Sequence, residues 1–210
     1  MTSRRFQLFL PGCAWVLAAF SAMAQNEPES ALSTDLPKPG ASKLERKTTG
    51  WFRKPATGDP QSQLKYAQYL QAAGSIRETL KQYDALVCKW PDAPEAAEAQ
   101  FSYARLLESR GKYADAFDEY QYLIDYYAGS FPFEEVLECQ YQIANHIMTV
   151  RHAKFLFIHG YTAPERALPL FEQLAKNGPQ WRNAAKVRYN IGLINEGMGD
   201  YEAASRAYEV

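Results

Sequence analysis

The sequence predicts an all-α fold, a right-handed solenoid of about four tandem helix-turn-helix hairpins. Three observations lead there. From residue 61 onward the chain is rich in Ala, Tyr, Leu, Gln and Glu and lacks β-branched runs, a composition that favours helix. Within it one spacing recurs: a small residue, a glycine seven later, a small residue five after that and an aromatic four further on. Ala104, Gly111, Ala116 and Tyr120 fit it, as do Gly192, Gly199, Ala204 and Tyr208, and also Ala67, Gly74, Thr79 and Tyr83. Finally, turn formers separate the helical stretches, as in Trp90-Pro91-Asp92, where proline stops a helix.

In chain order, the first element is an export signal at residues 1–24. Arg4 and Arg5 precede a short apolar stretch broken by Pro11-Gly12, and Ala22-Met23-Ala24 supplies the small residues of a cleavage site. The stretch is shorter than the roughly 20 residues of a membrane span, so the mature chain is expected to be soluble or held peripherally at a membrane. An alternative is a lipid anchor on Cys13, since Leu10-Pro11-Gly12-Cys13 loosely resembles a lipidation site. Against it, the stronger apolar run follows Cys13 rather than preceding it.

Residues 25–60 hold five prolines, three glycines and eleven charged side chains with almost no apolar periodicity, and read as a disordered linker. Trp51 and Phe52, flanked by Lys47, Arg53 and Lys54, stand out in it, either packed on the first repeat or serving as a docking peptide.

The repeat domain spans residues 61–210, with units at about 61–92, 94–129, 133–178 and 180–210. Each position of the template has a physical cause. The small residue of the first helix (Ala67, Ala104, Gly192) admits a second helix at close range. Glycine ends the first helix, where a positive φ is readily adopted. The second small residue marks the crossing, and the aromatic one turn on fills the space between hairpins. The third unit is stretched: Ala144 takes the first position and Ala167 with Phe171 the last two, with an insertion near 150–163. Its run Phe155, Leu156, Phe157 and Ile158 is either buried or a docking patch. The fourth unit stops soon after Tyr208, which predicts a truncated hairpin that is continued by further helix or capped by a partner, and fraying from Asp200.

Chemistry is sparse. Basic and acidic side chains number 23 and 24, so no nucleic-acid partner is indicated. His146, His152 and His159 lack metal-ligand spacing, and no nucleophile elbow, phosphate loop or zinc-protease pattern occurs. Acidic residues such as Asp115, Asp118, Glu119, Glu134, Glu135 and Glu138 read as helix-start and solvent-face charges. No catalytic residue, metal or cofactor is therefore expected, and the chain is not read as an enzyme. Cys88 and Cys139 lie in non-adjacent hairpins and are expected to be free, mostly buried thiols.

The hairpin spacing resembles that of tetratricopeptide repeats. The longer connections, with "WPDAPEAAEAQ" and "FEEVLECQYQIA" opening successive helices, resemble more specifically the BamD (YfiO) family of outer-membrane assembly factors. Members of that family are typically lipoproteins, whereas the signal here reads as cleaved. The resemblance implies a periplasmic protein-binding scaffold, at the periplasmic face of the outer membrane or soluble beside it. Its partners would be β-barrel assembly components or unfolded outer-membrane clients. A soluble coordinator of peptidoglycan-synthesis or transport machinery is the alternative. In such arrays the first helices line a groove. The groove positions three before each anchor carry Leu64, Phe101, Tyr141 and Tyr189, and those one after carry Gln68, Arg105, Asn145 and Leu193. Rings at this spacing serve either as an aromatic ladder for an extended peptide or as inter-repeat packing.

Overall fold

The computed structural model describes residues 47–48, 53–152, 161–162 and 164–209. Eight α-helices are described: α1 (Pro60–Ala72), α2 (Ile76–Lys89), α3 (Pro94–Ser109), α4 (Tyr113–Tyr126), α5 (Phe133–Thr149), α6 (Leu168–Asn177, entered through a 3-10 turn at Pro164–Ala167), α7 (Ala184–Met198) and α8 (Tyr201–Tyr208). They pair as hairpins α1–α2, α3–α4, α5–α6 and α7–α8, with α2 also packed on α3, α4 on α5 and α6 on α7. The expected helix-hairpin array is observed.

The starts and stops follow local chemistry. Asp59 caps α1, its side chain accepting from the Ser62 backbone N–H at 2.8 Å, with Pro60 in the first turn. That hydrogen bond holds the Asp59 carboxyl below its ordinary range. Asp200 caps α8 in the same way through the Ala203 N–H at 2.9 Å. The template glycines Gly74, Gly111 and Gly199 all have positive φ, at 75°, 73° and 81°. Beside them the N–H of the following residue returns to a carbonyl five positions back, as in Ser75 to Leu70, Lys112 to Leu107 and Asp200 to Asn195.

The template's small and aromatic positions are the core. Ala67, Ala104, Ala144, Ala116 and Ala167 are fully buried, as are Tyr120 and Phe171, with Tyr83 nearly so. Leu86, Leu123, Leu137, Ile143, Leu170 and Leu174 fill the layers between, each contributing roughly 1.5–3 kcal/mol on burial. Cys88 is buried and Cys139 half-buried, and neither is joined in a disulfide.

The all-α fold carries a short ribbon at the insertion, where Arg151–His152 pairs antiparallel with Tyr161–Thr162, and two expectations change elsewhere. The interior of the insertion, with Phe155, Leu156, Phe157 and Ile158, lies outside the described residues, as do Trp51, Phe52 and Cys13. The linker is not featureless at its C-terminal end, where Lys47, Arg53, Ala56 and Thr57 are bonded to the hairpins. Glu119 is not a solvent-face charge but pairs with Lys47 at 2.7 Å, its side chain only 19% exposed.

Candidate functional site

The face built by the first helices carries the predicted groove positions, and they fall into distinct environments. Leu64 is buried, and Phe101 is half-buried with its ring 6.2 Å from that of Tyr120. Tyr141 meets Phe171 and Trp181 edge-on at 6.1 and 5.8 Å. These three side chains pack between helices. Tyr189, on α7, is 56% exposed, and its neighbour Leu193 is 41% exposed. Tyr189 and Leu193 are thus the exposed apolar members of the predicted groove.

The polar positions one after each anchor join consecutive first helices. Gln68 on α1 donates to Glu98 of α3 at 2.9 Å, and Arg105 on α3 donates to Glu135 of α5 at 2.6 Å. Asn145 on α5 accepts from Asn190 of α7 at 3.1 Å. Arg105 also lies over the Phe101 ring, 5.7 Å from its centroid. The Gln68 and Arg105 contacts are exposed and worth under about 1 kcal/mol each, so they set register more than stability and remain open to exchange for a ligand's polar groups.

Two devices escaped the sequence reading. The first is a glutamine four residues before each of the first three anchors: Gln63, Gln100 and Gln140, all fully buried. Gln63 donates to the Gln82 carbonyl at 3.1 Å and to the Gln82 side chain at 2.7 Å. Gln100 repeats this on Glu119, at 3.0 Å to the carbonyl and 2.6 Å to the carboxylate. Gln140 instead reaches back to Gln121 of α4 at 3.3 Å and accepts from Asn177 of α6 at 3.2 Å, joining the second hairpin to the third. The second device links each anchor tyrosine to the residue four after the small anchor. Tyr83 donates to Gln71 and Tyr120 to Glu108, both at 2.7 Å, and Tyr208 to Glu196 at 3.2 Å. In the third hairpin Phe171 has no hydroxyl, and Met148 stands where the acceptor would be.

Burial, followed by the Glu108 hydrogen bond, pushes the Tyr120 hydroxyl far above its ordinary range, and burial raises Tyr83 and Tyr103 as well. Burial also raises both thiols, Cys88 and Cys139. None of these groups is thereby activated as a nucleophile. Among the described residues no group of three His, Cys, Asp or Glu side chains could hold a metal ion, and the ring of His146 rests against Tyr113 at 4.1 Å. No described helix is long and apolar enough to cross a membrane.

The large apolar side chains exposed among the described residues gather on the last hairpin: Tyr189, Leu193 and Met198 on α7, Tyr201 and Tyr208 on α8. Others are Tyr66 and Tyr69 on α1 and Phe133 on α5. Tyr189 and Tyr208 stack obliquely, ring centroids 6.0 Å apart. Gly192 lies directly beneath Tyr208, where any Cβ would collide with the ring.

Residues 64–131 match the tetratricopeptide repeat family model. Two solved structures of putative kinesin light chain nearly identical TPR-like repeats from Podosopora anserina, one of them a single-substitution variant, are similar to this chain. Each is 15% identical, with 72% of this chain and 74% of that chain covered, at TM-scores of 0.33 and 0.34. No curated protein matches the sequence.

Proposed function

We propose that the chain is a non-catalytic protein-binding scaffold of the bacterial cell envelope, resembling the BamD family, and that it engages partner or client polypeptides of outer-membrane β-barrel assembly. One observation carries the reading. At Tyr189 and Leu193 the template positions that are buried or tied up in the earlier hairpins are left exposed, beside Met198, Tyr201 and Tyr208. Exposed large apolar side chains gathered on one hairpin are a feature of protein-interaction surfaces. The first helices of the earlier hairpins supply exposed amide and charged groups, Gln68 and Arg105 among them, suited to an extended polypeptide. The export signal and the "WPDAPEAAEAQ" connection support a periplasmic setting, at or near the outer membrane. A soluble coordinator of peptidoglycan-synthesis or transport machinery is the second reading, favoured by the position of Cys13 ahead of the main apolar run.

The test places a photo-crosslinking residue at Leu193 of the full chain in its native envelope, with Lys81 on the exposed side of α2 as the control site. Crosslinks from position 193 alone to a β-barrel assembly component or an unassembled outer-membrane polypeptide support the first reading. Crosslinks to wall-synthesis or transport proteins support the second. Identical products from both positions, or none, would overturn binding at this face.

A further inference from the structure

A single lysine ahead of the first hairpin sits in a built pocket. Lys47 Nζ lies 2.7 Å from Glu119 Oε2 and 3.4 Å from Asp84 Oδ1, and it donates to Gln100 Oε1 at 3.3 Å. Its side chain is 13% exposed. The ammonium has three donors, and here three acceptors converge on it. Two rings flank it, Tyr103 at 4.5 Å and Tyr122 at 5.3 Å from nitrogen to centroid, a placement attractive to cations. The main chain is held too: the Lys47 backbone N–H donates to the Tyr122 hydroxyl at 2.9 Å. These groups come from three helices of two hairpins: Asp84 from α2, Gln100 and Tyr103 from α3, Glu119 and Tyr122 from α4. Further along, Arg53 Nε pairs with Asp84 at 2.9 Å. The N–H groups of Ala56 and Thr57 donate to Gln82 and Gln63.

We propose that the junction of the first two hairpins is a recognition site for a lysine ammonium carried on an extended strand, and that Lys47 is its intramolecular occupant. Lys47, Arg53, Ala56 and Thr57 are held by the hairpins as a ligand is held by its receptor, with charged anchors and main-chain amides taken by side-chain acceptors. The site exists apart from the first-helix face, and it stands whether or not that face binds polypeptide. Its geometry selects lysine over arginine, because a flat guanidinium cannot direct its N–H groups at three convergent acceptors. With the lysine gone, Glu119 and the inner oxygen of Asp84 face a cavity that has lost its ammonium, which makes the site a trap for any primary ammonium of the right length. A lysine of another chain gains the pocket only by displacing Lys47.

Chemical rescue tests this on the full chain. Lys47→Ala is melted with n-butylammonium chloride, with n-butanol and with sodium chloride at matched ionic strength, beside the wild type. n-Butylammonium is expected to raise the variant's Tm in a saturable way that neither control reproduces, leaving the wild type unmoved. The rescue should weaken at least fivefold when Glu119→Gln is added. Equal responses in wild type and variant, or rescue by n-butanol as strong as by the amine, would overturn the proposal. If Lys47→Ala does not fold, Lys47→Arg and Lys47→Met serve as a pair. Arg restoring wild-type stability while Met does not would refute the selectivity for lysine; both falling equally short supports it.

Discussion

Tyr120→Phe isolates a single hydroxyl at a fully buried position. In the wild type that hydroxyl donates to Glu108 Oε2 at 2.7 Å. Phenylalanine keeps the ring and its packing against Phe101, so the change removes the hydrogen bond to a charged acceptor, worth roughly 1.5–3 kcal/mol in well-buried cases, together with the weaker interaction of the hydroxyl with the Cys139 thiol. Glu108 is half-exposed and recovers water in the variant, which reduces the loss to about 1–1.5 kcal/mol. For a domain of this size that is a fall in Tm of roughly 2–6 °C. The third hairpin supplies the compensating change, since Phe171 and Met148 hold the two corresponding template positions there. Glu108→Met alone leaves the buried hydroxyl with only the weak Cys139 thiol as partner and should cost about 1–3 kcal/mol. The double variant Tyr120→Phe/Glu108→Met should cost less than the sum of the two by about 1 kcal/mol. Tyr83→Phe is the internal control: its acceptor Gln71 is neutral and exposed, so about 0.5–1 kcal/mol is expected. Urea titrations of the four variants and the wild type give the cycle. Strict additivity, or a larger loss at Tyr83 than at Tyr120, would refute the claim that the hydroxyl–acceptor pair is a coupled unit of the repeat.

Gly111→Ala places a Cβ at φ of 73°, and should lower stability by roughly 1–2 kcal/mol in a thermal melt, despite the open space around it. Gly192→Ala forces Tyr208 off its seat; faster amide exchange across α8 than in the wild type is expected, even though alanine is the better helix former by about 1 kcal/mol. Stability should decline in alkali. The folded-state pKa values of Tyr83, Tyr103, Tyr120, Cys88 and Cys139 are all raised, so the unfolded chain releases these protons first. Their contribution is complete below about pH 8.5, where free thiols begin to ionise, and is lost as pH climbs through 9 and 10; a urea midpoint unchanged between pH 8 and 10.5 would contradict this.

The hairpin spacing was legible because its causes are local. A close helix crossing needs a small side chain, a left-handed cap needs glycine, and both recur at fixed distances from each other. Gln63, Gln100 and Gln140 were equally periodic, four before each anchor, but glutamine in a helix ordinarily reads as a solvated side chain. Only the second helix, arriving 19 residues later with a carbonyl beneath the amide, reveals Gln63 and Gln100 as buried ties. Lys47 could not have been read at all. Its partners lie 37, 53, 56, 72 and 75 positions away, at Asp84, Gln100, Tyr103, Glu119 and Tyr122, and are assembled only when two hairpins have stacked.

The third hairpin makes the same logic visible by departing from it. Seven residues after Ala144 the template asks for glycine, and the chain has Arg151. With no glycine to turn left-handed, α5 ends on Val150 in an extended conformation, ψ 132°, and the chain leaves as a strand paired with Tyr161–Thr162. The next helix therefore cannot be positioned by a tight cap, and the hydroxyl link is missing as well, Phe171 and Met148 standing in its place. What replaces them acts between hairpins rather than within one. Asn177 donates to Gln121 of α4 at 2.7 Å and to Gln140 of α5 at 3.2 Å, fixing the end of α6 against both. On the other side Tyr141 is wedged between Phe171 and Trp181. The insertion is thus accommodated because α6 is held by its neighbours in the array, and its position no longer depends on the length of the connection that leads to it.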